Sequence, residues 1–363
     1  MGRAVSLQLW ALECYAGRHE AQGIGPRQRS LESLAISRAF HVLPMEYDSR
    51  VVSISEIDTA DASCCVSLKV APGALVASME AVGLINPPVL AQRKDDKYRI
   101  ICGFRRVKAC QVLGWEKIRA QVVEADHSEL ELLKLAVVDN QSHRSLNVIE
   151  QARGIRKLSP HLPSTGRLEA LASLLGFPPN KKVFEKIGAL DGLPEAIQAG
   201  VLDETITFEA AAQLAGLSHG DALRFFDLLK GLKLSQNKQI EIITLVQEIA
   251  MREDLQVEDV FESKEIVTIM DRPDLNRNEK GAKLRTYLKR RRFPALTKVE
   301  AEFSDALKAL KLSKDISITP PAYFEGGPYV LRMTFEDMSD FDKRCKTVDG
   351  IAKNPALKRV LDR

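Results

Sequence analysis

Two adjacent arginines, Arg105 and Arg106, stand at the start of a predicted helix, two residues after Gly103. The stretch YRIICGFRRVKACQVLGW first alternates like a strand and then repeats like a helix. A glycine at such a junction lets a ligand approach the backbone, and the first helical turn presents unpaired N–H donors. Two cations at the positive end of a helix dipole are favourable only beside an anion. That anion is either a phosphate group or a nearby carboxylate, such as Glu80 or Asp139.

A second polar pair, Asp139 and Asn140, ends the predicted helix ELELLKLAVVDN. A carboxylate there could hold Mg²⁺ or orient a water molecule, and the amide offers both a donor and an acceptor. An Asp-Asn pair at a helix end also commonly serves as a cap. The pair on its own therefore leaves both interpretations open.

The segment that contains both groups, residues 49–145, has the pattern of a small α+β domain. A strand begins near Val51, and the helical stretch GALVASMEAVGLI is ended by the Asn-Pro-Pro sequence at 86–88. The strands VLAQ and YRIIC flank a KDDK turn, and KIRAQVV is a further strand. Ser128 is the expected N-cap of the helix that carries Asp139.

Residues 1–48 show no sustained period, and we expect a poorly ordered extension with Met45 as an alternative first residue. The segment MGRAVSLQLWALECYAG has a weak likeness to a signal peptide. Its short apolar core is interrupted by Gln8 and Glu13, so we do not predict export.

Residues 146–270 are predicted to be almost entirely helical. Within them, LEALASLLGFPPNKKVFEKIGAL has the small-residue spacing of a helix-turn-helix, a DNA-binding motif. Its second helix carries Lys181, Lys182 and Lys186, which are the candidate DNA contacts. An ordinary antiparallel helix pair in a bundle would show the same pattern.

A basic stretch at 271–295 ends in Lys289, Arg290, Arg291 and Arg292. We interpret the stretch as a linker whose charges are either solvated or in contact with DNA phosphates. The tail, 296–363, is predicted to be a small α-β-β-α module. Because such a module has little core of its own, we expect it to pair with a second copy as a homodimer.

The whole chain has 363 residues, enough for two or three domains, and its 45% hydrophobic and 28% charged residues exclude a disordered or fibrous protein. The net charge of +3 is small, so nucleic-acid contacts must come from local patches. The six cysteines form no zinc-type pairs of C-x-x-C and are expected to be reduced thiols. No run is apolar enough for a membrane span, and we expect a cytoplasmic protein without membrane contact.

Three motifs together resemble the ParB/Spo-type chromosome-partition family. GLINPPVLAQ, YRIICGFRRVKACQVLGWEKIRAQVV and LAVVDNQSHRSLNVIEQA occur in the order and approximate spacing of that family's patterns, G-L-x-Q-P-I, G-E-R-R-x-x-A-x-x-x-G and E-N-x-x-R-x-x-L-x-x-x-E-x-A. The resemblance spans about residues 50–360, because the helix-turn-helix and the tail stand where the family keeps its centromere-binding and dimerisation domains. It implies a ParB/sulfiredoxin-like N-terminal domain.

The family resemblance implies a clamp that binds CTP and Mg²⁺ and closes two subunits around DNA, in plasmid or chromosome partition or in regulation on a mobile element. A Walker-type partition ATPase would be its partner. The location implied is the nucleoid or a plasmid. The matched positions imply nucleotide contacts from Asn86, Pro87, Gly103, Arg105, Arg106, Asn140 and Arg144, metal contacts from Asp139 and Asn140, and a catalytic role for Asp139.

Several positions depart from the family pattern. Phe104 replaces the glutamate of G-E-R-R, and Asp139 replaces the family's longer glutamate, so hydrolysis of CTP is expected to be weak at most. His143 stands at the family's arginine, with Arg144 next to it. The turn of the helix-turn-helix contains two prolines, at 178–179, where small hydroxyl residues are typical.

Two other functions remain open at this point. Relatives on the same N-terminal fold include enzymes, among them a small-molecule kinase, for which Asp139 or His143 would be the candidate base. A sulfiredoxin is disfavoured because Cys102 precedes the glycine rather than the His-Arg of that motif. The other alternative is an interaction protein with a decayed nucleotide site.

Overall fold

The structure is a computed structural model that describes residues 45–67, 72–124, 126–310, 312–355 and 358. The chain divides into two compact units, the first ending at Ala222 and the second beginning at Leu223. Residues 1–44 of the expected N-terminal extension lie outside the described residues, whereas Asp48 already belongs to the first strand. In the described residues no helix is both long and apolar enough to cross a membrane.

The first unit contains a mixed five-stranded sheet. Its strands are β1 (Asp48–Ser53), β2 (Ile57–Asp58), β3 (Val89–Gln92), β4 (Tyr98–Cys102) and β5 (Lys117–Val123). They are arranged in the order β1-β5-β3-β4-β2. β1 with β5 and β3 with β4 are antiparallel, and β2 with β4 and β3 with β5 are parallel. The α+β fold predicted for this domain is confirmed.

Two short helices cover this sheet, α1 (Ala74–Val82) and α2 (Phe104–Val112). The alternating apolar residues of the strands meet the inner faces of these helices, as the period of two in the sequence predicts. The buried core between them contains Val52, Leu90, Ile100, Ile118, Val122, Met79 and Val107. β4 therefore runs directly from this core into Gly103 and the first turn of α2, which begins at Phe104, one residue earlier than predicted.

Six further α-helices follow among the described residues of the first unit. They are α3 (Glu129–His143), α4 (Val148–Leu158), α5 (Arg167–Leu175), α6 (Lys181–Ala189), α7 (Glu195–Leu202) and α8 (Phe208–Leu214). Ser128 forms the predicted N-terminal cap of α3, as part of a capping box with Glu131. α4 packs closely on α5, because a Cβ at Gly154 would overlap with the side chain of Leu175.

The connection between α5 and α6 is a tight turn that Gly176 opens in the left-handed conformation, with φ of 78°. Asn180 then caps α6 by accepting from the backbone N–H groups of Lys182 and Val183. The rings of Phe177 and Phe184 lie 6.3 Å apart and hold the turn against the helix. The two prolines thus stand in a turn that a glycine and a capping asparagine define.

The second unit is mostly helical. After α9 (His219–Leu232), which crosses the boundary between the units, come α10 (Gln236–Glu253), α11 (Val257–Phe261), α12 (Lys264–Asp271), α13 (Arg277–Arg292) and α14 (Pro294–Leu310). The interpretation of 271–295 as a linker differs from this structure, since α13 occupies most of that stretch and packs on α10. The physical reason is a row of glutamates on α10 that neutralises the basic residues of α13.

The C-terminal elements follow in the order α14, β6 (Ile316–Thr319), β7 (Val330–Met333) and α15 (Met338–Ala352). β6 and β7 are antiparallel, and Phe303, Ala306, Ile316 and Ile351 form a small core beneath them. Several large apolar side chains of this module remain exposed, namely Val330, Leu331, Phe335 and Met338.

Candidate functional site

A pocket of about 390 Å³ lies where β4 ends, α2 begins and α3 ends. The segment that follows β2 also lines it, together with Leu75 and Asn86. The predicted residues that line it are Asn86, Gly103, Arg105, Arg106, Asp139, Asn140 and Arg144. Groups separated by up to 58 positions in the sequence therefore meet at one concave site, of a size usual for small-molecule ligands.

Gly103 has a left-handed backbone, with φ of 92° and ψ of 28°, at the N-cap of α2. A Cβ at this position would lie 2.9 Å from Nε of Arg106 and 3.0 Å from Cβ of Pro88. Both the backbone conformation and the space around it therefore require glycine. The absence of a side chain lets the arginine fold back over the start of its own helix.

The guanidinium of Arg106 is held by the chain segment before β3. Its Nη1 donates to the backbone carbonyls of Asn86 and Pro87, at 2.9 Å each. Its Nη2 points towards Asp139, 3.7 Å from Oδ2. Arg106 thus joins three separate segments of the pocket, and part of its hydrogen-bonding capacity serves the protein itself. Arg105, in contrast, is exposed at the rim of the pocket.

Asp139 is the one carboxylate among the residues that line this pocket. It lies between two basic groups, since His143 is 4.0 Å from its Oδ1 and Arg106 is near its Oδ2. The buried thiol of Cys102 lies on the same side. Burial raises the pKa of Cys102 well above its usual value, and the charge of Asp139 acts in the same direction. Cys102 is therefore a protonated thiol under ordinary conditions.

Asn140 is used by the protein to fix two neighbouring segments. Its amide Nδ2 donates to the carbonyl of Ala136 at 2.7 Å, and its Oδ1 accepts from the hydroxyl of Ser67 at 3.2 Å. In this arrangement the side chain shapes the pocket wall.

Arg144 forms a bidentate ion pair with Glu150, with both N–O distances at 2.6 Å. Glu150 is buried and also accepts from the backbone N–H of Asn147 at 3.1 Å. The family resemblance implied that Arg144 contacts a nucleotide. The structure places Arg144 at the pocket and shows that its guanidinium also fastens the end of α3 to the start of α4.

Phe104 lies at the pocket and packs against the core of the sheet. This residue replaces the glutamate of the family pattern. An aromatic ring there adds apolar contact and supplies no hydrogen bond to the neighbouring arginine. The position of Arg106 in this chain depends instead on the two carbonyls at 86–87.

Metal binding at this pocket would depend on Asp139. No cluster of three or more His, Cys, Asp or Glu side chains suited to a metal ion occurs among the described residues. Mg²⁺ usually takes one or two carboxylates and completes its shell with phosphate oxygens and water. The Asp139 carboxylate, partly exposed to the pocket, fits such a site together with a bound phosphate. The Asn140 oxygen, already accepting from Ser67, is less suited to it.

Sequence reasoning missed several lining residues, among them Cys64, Val66 and Ser67. These three lie in ADASCCVSLKV, which is outside the three motifs that carry the family resemblance. The local signal was weak, because Ser and Cys in a loop have no periodicity. Their place becomes visible only through contacts with α3 and α4.

The predicted DNA contacts lie in two different surroundings. Lys181 and Lys182 are exposed in the first turn of α6, whereas Lys186 forms an ion pair with Glu209 of α8. On α13, Arg291 pairs with Glu253 and Arg292 with Glu248. Two further α13 side chains, Arg285 and Lys289, both pair with Glu241. Arg290 is exposed.

Comparison with known proteins gives a family match to the pocket domain. Residues 52–141 match the model of the ParB N-terminal domain. The nucleoid occlusion protein of Bacillus mycoides strain KBAB4 is 34% identical over 176 residues, which are 48% of this chain and 57% of that protein. The protein of the same name from Bacillus thuringiensis strain Al Hakam is 35% identical over 145 residues, 40% of this chain and 48% of that protein. The chain thus spans about half the length of the relatives it matches.

Two solved structures of truncated ParB from Caulobacter crescentus are also similar. One, described as complexed with CTP-gamma-S, has a TM-score of 0.23 and 19% identity, covering 50% of this chain and 98% of that chain. The other, described as complexed to the centromeric parS site, has a TM-score of 0.33 and 18% identity, covering 53% and 96%. With TM-scores this low, neither structure supports a function for this chain. The family resemblance rests on the sequence matches.

Proposed function

Because residues 52–141 are those of a ParB N-terminal domain, we propose that this chain is a ParB-like DNA-binding protein whose pocket binds CTP. In this proposal nucleotide occupancy closes two copies of the chain around DNA. The role is plasmid or chromosome partition, or regulation on a mobile element, in the cytoplasm at the nucleoid or a plasmid. A partition role would include a Walker-type ATPase as partner. The relatives named as nucleoid occlusion proteins support an association with DNA.

The observation that carries the proposal is the meeting of three motif segments at one pocket. Asn86, the Gly103–Arg106 turn and the Asp139–Asn140 pair all border the same cavity. Arg105, Arg106 and a helix N-terminus lie there with a single aspartate, while the charge of Arg144 is paired with Glu150. Positive groups still outnumber negative ones among the lining residues, which suits a polyphosphate.

Each side chain has a proposed role. The N-terminus of α2 and Arg105 would contact the phosphates, while Arg106 positions the segment at 86–87 beside the base. Asp139 would hold Mg²⁺, whose chemistry is to neutralise phosphate charge, and would orient water for any slow hydrolysis. Asn140 would act mainly through Ser67, as the hydrogen bond between them indicates.

DNA binding is proposed for the helix pair α5–α6. The tight turn and the capped, exposed first turn of α6 support this role, because recognition helices use their N-terminal residues at base edges and phosphates. Lys181 and Lys182 are the leading contacts, since both are exposed there. The proposed homodimer is supported by the exposed apolar residues of β7 and the following segment, Val330, Leu331, Phe335 and Met338.

The test is binding of labelled CTP, ATP and ADP to the full chain with Mg²⁺, with and without mixed DNA. Arg105→Ala and Arg106→Ala are compared with Lys108→Ala, an exposed cation on the same helix. We expect a preference for CTP that both pocket variants weaken at least tenfold and the Lys108 variant leaves unchanged. Binding of ATP with phosphate transfer to a small molecule would favour the kinase alternative. No nucleotide binding by the native chain would overturn the proposal.

A further inference from the structure

One wall of the pocket is formed by a segment without regular secondary structure, residues 59–67 (the wall segment). Cys64, Val66 and Ser67 of this segment line the cavity. Loop backbone at a binding site must be held in place by other groups, because it lacks the hydrogen-bond ladder of a helix or strand. The residues that make these contacts therefore shape the site without lining it.

Two side chains of α4 bind the backbone of the wall segment. Nζ of Lys157 donates to the carbonyls of Ala62 and Ser63, at 2.8 and 2.7 Å. Nη1 of Arg153 donates to the carbonyl of Ser67 at 2.9 Å. The two side chains are one helical turn apart, so they grip the segment near its middle and at its end from a single face of α4.

The Lys157 ammonium is well placed for such a role. Hydrogen bonds from a charged donor to carbonyls in a partly buried place are stronger than neutral ones. The segment is also held from the sheet, where Arg99 of β4 donates to the hydroxyl of Ser63 at 2.9 Å and contacts Sγ of Cys64 at 3.1 Å.

We propose that Lys157 and Arg153 are positioning residues for the pocket, which hold the wall segment in the shape that the ligand meets. Neither residue lines the cavity, and neither belongs to the motifs that carry the family resemblance. They act through backbone carbonyls, so their effect does not depend on the side chains of the wall segment. This inference builds on the proposed binding of CTP.

Two cysteines of the wall segment supply a test that is independent of any nucleotide. Cys64 is 1% exposed and Cys65 is 9% exposed, so a thiol reagent reaches them only when the segment opens. Burial also raises the pKa of both thiols, which slows their reaction further while they are closed. Cys110, buried in α2 at 0% exposed, reports any general unfolding of the domain.

The experiment measures iodoacetamide labelling of each cysteine by mass spectrometry in the full chain and in the variants Lys157→Met and Arg153→Met. We expect labelling of Cys64 and Cys65 to rise about tenfold or more, which corresponds to about 1.4 kcal/mol at 25 °C. Labelling of Cys110 should stay unchanged. The matched control is Arg156→Met, because Arg156 lies on the same helix but is exposed and pairs with Asp191.

The second measurement is the dissociation constant for CTP with Mg²⁺ and DNA. Lys157→Met should weaken CTP binding about tenfold, and Lys157→Arg, which keeps a charged donor, should restore most of it. Unchanged cysteine labelling in both variants would overturn the anchoring. Faster labelling with unchanged CTP affinity would overturn the role in the pocket. If the native chain binds no CTP, the proposed function fails and the positioning of a CTP site fails with it, whereas the labelling result still decides whether the two side chains anchor the wall segment.

Discussion

The guanidinium of Arg106 lies over the α-carbon of Gly103, so close that a Cβ there would be 2.9 Å from Nε. This contact lets Nη1 reach the carbonyls of Asn86 and Pro87. One glycine thus sets the start of α2, the direction of the arginine and, through it, the path of the chain before β3. Gly103 shapes the pocket in two ways: its left-handed backbone starts α2, and its lack of a side chain leaves room for the Arg106 guanidinium.

We expect Gly103→Ala to lower the free energy of unfolding by about 2 kcal/mol or more and to weaken CTP binding. About 1 kcal/mol is the cost of a left-handed alanine, and the rest comes from displacing Arg106 from its carbonyl partners. Urea unfolding and CTP titration measure the two effects.

The matched control is Gly114→Ala, at the other end of the same helix. Gly114 also has a positive φ, 68°, but a Cβ there would meet nothing within 4 Å. This variant should cost about 1 kcal/mol and leave CTP binding intact. Equal effects of the two variants on CTP binding would contradict the close packing of Arg106.

The strand-glycine-helix junction could be predicted from the sequence because its signals are local. The period of two ends at Cys102, the helical period begins after Gly103, and only glycine readily takes the left-handed conformation needed between them. The partners of Arg106 could not be predicted, since they depend on where the chain at 86–88 passes in space. Nucleotide contact was expected of Arg106, whereas its backbone contacts were not.

The packing of the basic stretch at 271–295 on α10 could not be predicted from local signals. A run of Lys and Arg is usually solvated or bound to phosphate, and the local sequence gives no sign of another partner. The glutamates that pair with this stretch lie about 40 residues earlier, in α10. Glu241 and Glu248 are seven residues apart, as are Arg285 and Arg292, so both pairs fall on matching helix faces. Only a comparison of the two helices would have predicted that they pack together.

Acid should weaken the first unit through the ion pair between Arg99 and Glu129. Arg99 donates to both carboxylate oxygens, at 2.7 and 2.8 Å, and this contact lowers the pKa of Glu129 below its ordinary value of 4.5. A lowered pKa in the folded state means stability that is present above pH 4.5 and is lost as the pH falls through the lower folded value.

The measurement is urea unfolding of the native chain and of Glu129→Gln between pH 7 and pH 3. We expect the native chain to be the more stable at pH 7, and the difference to shrink as the pH falls below about 4.5. Glu116→Gln, at an exposed carboxylate next to β5, should follow the native chain. A difference between native chain and Glu129→Gln that does not change with pH would contradict the role of this ion pair.

DNA binding should depend on Lys181 and Lys182 more than on Lys186. The first two are exposed at the N-terminus of α6, and the third is paired with Glu209. Each phosphate contact contributes about 0.9 to the slope of log K against log salt. The double variant Lys181→Ala, Lys182→Ala should therefore reduce that slope by about 1 to 2.

Lys186→Ala serves as the control for charge, because it also removes one lysine from α6. It should change the salt slope by about 0.5 or less, which fluorescence anisotropy at several salt concentrations resolves. An unchanged slope in the double variant would remove α6 from the proposed DNA interface. If Lys186→Ala reduces the salt slope by half as much as the double variant does, exposure does not determine which lysines contact DNA.

The basic end of α13 should stabilise the second unit through its contacts with α10. Arg291 donates to Glu253 with its shortest contact at 2.6 Å, and its side chain is only 18% exposed. Arg291→Ala leaves Glu253 without this partner, so we expect faster hydrogen exchange of the amides in α10 and α13 by about fivefold, or about 1 kcal/mol. Arg290→Ala, at an exposed position in the same run, should leave exchange unchanged.

The charge-swapped variant Arg291→Glu, Glu253→Arg should recover part of the protection, because the pairing needs opposite charges rather than a particular order. If Arg291→Ala instead leaves exchange unaltered and weakens DNA binding as much as Arg290→Ala does, the run is a DNA contact and its ion pairs with α10 contribute little to the fold.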